Sequence, residues 1–180
     1  MRALLIVDVQ NDFCPGGALA APGGDEVVPV INRIMAGFDL VLASRDWHPE
    51  NSPHFEQWPV HCVRDTAGAA YHPDLNADGI DIELYKGTGQ ADDGYSAFEA
   101  TNLDLKMVLR EKKVEELYVA GIATEYCVKA TVLDALDHGL KTRVVTDAVK
   151  GVAAEPDGPP RALDEMARAG AVLVSSSELI

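Results

Sequence analysis

Short runs of aliphatic and β-branched residues alternate along the chain with longer stretches whose apolar positions recur every three or four residues. Leu4-Leu5-Ile6-Val7 predicts a first strand ending at Asp8. From Asp25 to Ala36 the apolar positions Val27, Val28, Ile31 and Ile34 carry a helical period. Leu40 to Ala43 predicts a second strand ending near Asp46, and a long stretch rich in Pro, His and Trp then runs from Trp47 to Asp81. Ordered connections of that length are more often functional than ordinary. A shorter strand over Ile82 to Tyr85 stops at Lys86, followed by a loop with Gly87, Gly89 and Gly94 and a helix from about Asn102 to Lys113. Leu117 to Ile122 predicts a fourth strand, Thr124 to His138 a helix stopped by Gly139, and Thr142 to Val145 a fifth strand. A Pro- and Gly-rich loop, a helix from Arg161 to Ala169 and a sixth strand over Ala171 to Val174 complete the pattern. Apolar strands that do not alternate with polar residues, each followed by a helix, belong to a parallel sheet covered on both faces. The expected fold is therefore α/β: a three-layer αβα arrangement around a six-stranded, mainly parallel sheet, with residues 1–180 forming one domain.

Composition narrows the partners. With 29 acidic against 15 basic residues in 180, the formal charge is −14, which argues against nucleic acid or an anionic membrane, since both need a cationic face. The aliphatic run Ala3 to Val7 is far short of the ~20 residues of a membrane span. The first residues run straight into Asp8 without the layout of a signal peptide. Three cysteines make an odd count that fits a reduced, cytoplasmic setting better than a disulfide framework. A small-molecule substrate is the expected partner, for a monomer or small homo-oligomer.

The strands of a parallel sheet end on one shared edge, where ligands bind. Asp8, Asp46 and Lys86 each close a predicted strand, and Cys127 falls just past another, so four reactive residues distant in sequence meet on one rim. Cys127 is the candidate nucleophile. In the first turn of a helix that Thr124 can cap, it faces backbone N–H groups that favour thiolate and can hold an oxyanion. Lys86 nearby is expected to lower the thiol pKa further, and Asp8 can take the thiol proton and return it to a leaving amine. Taken singly, each has a bland reading: a buried apolar Cys, a strand-end Asp that caps a helix, a solvated Lys.

A second group lies in the long connection. Four of the five histidines fall between positions 48 and 72, and Asp46, His48, His54 and His61 form a carboxylate–imidazole set suited to a divalent first-row metal with open coordination sites. Zn, Fe and Mn all suit such a set, and chance clustering of solvated loop histidines is the alternative. His72 and His138 read as structural, and Cys14 and Cys62 as packing residues, although Cys62 adjoins His61. Phe13, Trp58 and Tyr95 lie on rim loops and can wall a small flat ligand or simply anchor their loops.

Together these segments resemble a known family. Ile6 to Phe13, Arg45-Asp46-Trp47-His48-Pro49, Lys86-Gly87 and Gly121 to Val128 are similar to the signatures of the bacterial nicotinamidase/pyrazinamidase group of isochorismatase-like cysteine hydrolases, in order over nearly the whole chain. The resemblance implies an amidohydrolase acting on the carbon–nitrogen bond of a linear amide. It would convert nicotinamide to nicotinate and ammonia in NAD salvage, with pyrazinamide as a side substrate. Implied too are a triad of Asp8, Lys86 and Cys127 working through a thioester, and an oxyanion hole from the amides of Ala123 and Cys127. A cis peptide between Ile122 and Ala123 and one divalent metal ion on Asp46, His48 and His61, with His54 completing the set in some members, belong to the same pattern. Phe13, Leu19, Trp58 and Tyr95 match positions around the substrate ring, and the Gly89 to Gly94 loop varies among relatives. Two alternatives remain: another isochorismatase-like hydrolase acting on a different small amide or on isochorismate, and a non-catalytic metal-binding module with a bystander thiol.

Overall fold

The computed structural model describes residues 1–89 and 94–180; Gln90 to Asp93 of the glycine-containing loop lie outside the described residues. Six strands, β1 (Arg2–Val7), β2 (Leu40–Asp46), β3 (Ile82–Lys86), β4 (Glu116–Ile122), β5 (Lys141–Lys150) and β6 (Val172–Val174), form one sheet in the order β3-β2-β1-β4-β5-β6. Every pairing is parallel, so the sheet is wholly rather than mainly parallel. Successive residues of β1 serve opposite faces. Leu4 and Ile6 pack toward α1 (Val27–Met35), with Val28, Ile31 and Ile34. Leu5 and Val7 pack with residues of α2 (Leu105–Glu111), α3 (Lys129–Asp137) and α4 (Gly158–Ala169), among them Leu109, Val132 and Met166. All four β1 side chains are fully buried, each stabilising the fold by about 1.5–3 kcal/mol.

Several element ends differ from the periodicity, for local reasons. Helix α2 starts only at Leu105, because Asp104 caps it by accepting from the Met107 N–H at 3.0 Å. Helix α4 starts earlier than its apolar pattern, at Gly158, since Pro159 and Pro160 fit a first turn whose N–H groups have no helical acceptor. Strand β5 runs on to Lys150, beyond the apolar run, through Thr146 and Asp147. Asp147 accepts the Ser176 N–H at 2.7 Å and Thr146 donates to the Val174 carbonyl at 3.1 Å, so polar residues are partnered there. The helix expected over Thr124 to His138 is two pieces: one wide π turn, Thr124–Val128, and then α3.

Strand order reverses between β1 and β4, the position at which open α/β sheets bind ligands. Gly121 permits the approach of the two strands: its φ is +120°, and a Cβ there would lie 2.0 Å from the Val7 carbonyl oxygen. Among the described residues no helix is long and apolar enough to cross a membrane.

Candidate active site

Asp8, Asp46 and Lys86 leave the carboxyl ends of β1, β2 and β3, and Cys127 sits in the π turn after β4. Asp8 adopts φ +50°, a left-handed conformation that Asp tolerates better than most residues. The Lys86 ammonium, fully buried, is the hub. It lies 2.8 Å from Asp8 Oδ2 and 3.4 Å from Cys127 Sγ, donates to Asp46 Oδ1, and donates to the Gly94 carbonyl at 2.7 Å. Ser44 fixes the other side of Asp8, its hydroxyl donating to Oδ1 at 2.7 Å.

Burial and charge set the proton affinities. Burial pushes the Asp8 carboxyl above its ordinary value; Lys86 opposes this, and the Asp46 charge adds to it. Burial acts on Asp46 in the same sense, but Lys86 with His48 and His61 overrides it and holds that carboxyl well below the usual range. Lys86, which burial alone would depress, is held firmly protonated by Asp46 and Asp8. The expectation of a lowered Cys127 pKa is corrected. Burial raises it well above the free-thiol value, Lys86 only partly offsets this, and the Asp8 and Asp46 charges add to the rise. The resting group is a thiol beside a carboxylate with raised proton affinity. Thr124, 1% exposed, makes no cap, and the turn begins without a side-chain cap.

The histidines converge next to this cluster. His48, His54 and His61 each offer a ring nitrogen, and these atoms lie within 4.8 Å of one another. His48 Nδ1 bonds the Gly87 carbonyl at 2.9 Å and His61 Nδ1 the Pro59 carbonyl at 2.6 Å. That leaves the two Nε2 atoms facing Asp46 Oδ2 at 3.4 and 3.7 Å. His48 Nε2 is buried without a hydrogen-bond partner. An orphaned ring nitrogen, outer hydrogen bonds that fix the ring, and an adjacent carboxylate are what a divalent-metal site needs. The residues fit such an ion.

Gly87 carries the first prediction. Its φ is +63°, and a Cβ there would lie 2.5 Å from His48 Cε1. Gly87→Ala is expected to displace the His48 ring and weaken metal binding about 10- to 100-fold, read by competition with a chromogenic chelator; unchanged affinity would refute the assignment.

Cys127 of the first cluster and Asp46, His54 and His61 of the second open on one hollow, whose walls are Phe13, Leu19, Trp58 and Tyr95 with Ala123, Tyr126 and Val152. Trp58 donates to the Tyr95 hydroxyl at 2.9 Å, and Tyr126 stacks on Tyr95 with ring centroids 6.0 Å apart. The Ile122–Ala123 peptide is cis, and the Ala123 carbonyl accepts from the Tyr126 and Val128 amides, both at 3.1 Å.

All four rim residues named from the sequence, the three clustered histidines and the four aromatic or aliphatic wall residues therefore meet. Residues outside that set do not join it. His72 accepts the Asp74 N–H at 3.2 Å, His138 ends α3 against Phe98, and Cys14 and Cys62 are core residues. Sequence reasoning missed Ser44, Tyr126, Val152 and Gln10. The Gln10 amide accepts from Asp46 N and donates to the Asp46 and Ala69 carbonyls, each at 2.9 Å, clamping the backbone of a candidate ligand. A polar Gln just beyond a fully apolar strand was the available signal.

An α/β sheet with a buried acid–amine–thiol cluster at its switch point defines a cysteine-hydrolase type of site. Residues 2–178 match the Isochorismatase domain family, and the chain belongs to it. It is 42% identical to the nicotinamidase of Escherichia coli (strain K12), over 98% of this chain and 96% of that protein. The pyrazinamidase of Pyrococcus horikoshii in complex with zinc is 44% identical with a TM-score of 0.87, covering 97% of this chain and 98% of that one. A protein from L. infantum in complex with nicotinate is 34% identical with a TM-score of 0.92, covering 98% of this chain and 93% of that one.

Proposed function

We propose that this chain, as a single hydrolase domain over residues 1–180, converts nicotinamide to nicotinate and ammonia, with pyrazinamide as a side substrate. One observation carries the reading: Cys127, backed by the buried Asp8 and Lys86, and Asp46, His54 and His61, backed by His48, line a single hollow walled by flat rings. The relatives' names and the nicotinate and zinc complexes of similar proteins support the same substrate and metal chemistry.

In the proposed reaction the Cys127 thiol passes its proton to Asp8 as sulfur bonds to the amide carbon. Lys86 offsets the charge that moves between them, and the amides of Ala123 and Cys127 hold the oxyanion. Asp8 then protonates the amide nitrogen, the carbon–nitrogen bond breaks, and ammonia leaves a thioester on Cys127. Water, deprotonated by Asp8, attacks that carbonyl; the carbon–sulfur bond breaks and the sulfur regains its proton. Phe13, Leu19, Trp58 and Tyr95 position the ring. Asp46, His48, His54 and His61 would hold one divalent ion, Zn, Fe or Mn, which would supply Lewis acidity beside the substrate ring.

Ammonia release from nicotinamide, set against a panel of other small amides and isochorismate, tests the substrate. Dialysis against a pyridine dicarboxylate chelator is expected to strip the ion, measured by elemental analysis, and to raise KM until Zn, Fe or Mn is restored. Full activity in metal-free protein would overturn the metal reading.

A further inference from the structure

The mechanism leaves a carboxylate beside the nucleophile without a task. Glu125 lies two residues before Cys127 in the same π turn, yet its carboxylate reaches the loop that leaves β5. Its Oε1 accepts the Ala153 N–H at 2.8 Å, and its Oε2 is buried with no hydrogen-bond partner. The surroundings are shaped to this group. A Cβ at Gly151 would lie 2.3 Å from Glu125 Oε2 and 2.4 Å from Pro159 Cγ. Ala153 takes φ +52°, an unfavourable conformation for a residue with a Cβ. Such a conformation persists only when its surroundings hold it, and here the residue's own N–H donates to the Glu125 carboxylate. Between Gly151 and Ala153 stands Val152, which lines the hollow that also contains Cys127. One side chain thus ties the turn bearing the sulfur to the wall of the ring pocket.

We infer that Glu125 is a positioning residue that pins residues 151–153, so that Val152 closes the ring pocket and restricts it to pyridine and pyrazine carboxamides without bulky ring substituents. The inference rests on the proposed amide hydrolysis. Its physical basis is steric: a valine wall held in place excludes an added methyl group, whereas a wall on a released loop yields to it. The carboxylate acts by accepting one backbone hydrogen bond, a role that glutamine can fill.

The test compares nicotinamide with ring-methylated nicotinamides on the metal-loaded full chain. Glu125→Ala is expected to raise KM for nicotinamide about tenfold with kcat changed less than about threefold, and to shift kcat/KM toward the methylated amides by about tenfold. Glu125→Gln, which keeps the acceptor, restores both. Val152→Ala reproduces the selectivity shift, and the double variant Glu125→Ala/Val152→Ala adds nothing to it, because the two act through one wall. Should Glu125→Ala not fold, Gly151→Ala displaces the same carboxylate and must give the same shift. Three results would each overturn the inference: a loss confined to kcat, failure of glutamine to rescue, or full additivity with Val152→Ala. Wild-type protein that releases no ammonia from any of these amides refutes the proposed function instead, and the inference falls with it.

Discussion

Cys127→Ala is expected to lower kcat for ammonia release by roughly 10⁴-fold or more while leaving nicotinate binding and the melting temperature nearly unchanged. The sulfur is the only group at the hub that can form the thioester; Asp8, Lys86 and the walls of the hollow remain in the variant. Lys86 keeps its contacts to Asp8, Asp46 and the Gly94 carbonyl without the thiol, so the cluster stays charge-compensated. The thiol's raised proton affinity means that it is neutral at rest, and its removal strands no charge. Initial rates, calorimetric titration with nicotinate and thermal melting of the same preparations provide the check. Activity within about tenfold of wild type would show that attack does not pass through sulfur, since loss of a covalent nucleophile costs far more than that.

That cysteine was visible in the sequence because backbone direction alone brings strand ends together. Asp8, Asp46 and Lys86 needed no side-chain geometry to be placed on one rim: each stands where an apolar run gives out. The histidines were visible as a cluster, but the role of each depends on tautomer and outer hydrogen bonds, and those come from the Gly87 and Pro59 carbonyls, which sequence pattern does not aim. The proton affinity of Cys127 was misjudged for a related reason. Helix position and a neighbouring lysine argue for a thiolate, yet burial and the charges of Asp8 and Asp46 outweigh the lysine. Val152 and Tyr126 were missed because a valine in a polar loop and a tyrosine in a turn carry no periodic signal. The continuation of β5 was hidden by Thr146 and Asp147, whose partners lie about thirty residues further along, in the C-terminal segment. The fold was legible from what repeats along the chain. The parts that were not legible depend on single contacts between distant residues.

Lys86→Met is expected to be both inactive and markedly unstable. Methionine keeps most of the volume and removes the charge, leaving Asp8 and Asp46 buried at 0% and 4% exposure without their shared cation. Breaking a buried ion pair in this way costs about 3–5 kcal/mol, and at ~2–4 °C per kcal/mol for a chain of this size the melting temperature should fall by about 10 °C. The deficit has a defined pH dependence. Without Lys86 the folded-state carboxyls bind protons more tightly than the unfolded chain does, so lowering the pH toward the ordinary carboxylate range stabilises the variant relative to wild type, and the gap narrows. It should also be widest in metal-stripped protein, where no ion offsets the Asp46 charge. The double variant Asp8→Asn/Lys86→Met separates charge from packing. Removing one of the two stranded carboxylates should recover a large part of the lost stability without recovering activity, since an amide in place of the Asp8 carboxylate cannot carry the proton between sulfur and amide nitrogen. If the double variant melts no higher than Lys86→Met at neutral pH, the ammonium's role is one of shape, and the charge-balanced hub that places Asp8 and Cys127 in register has been misread.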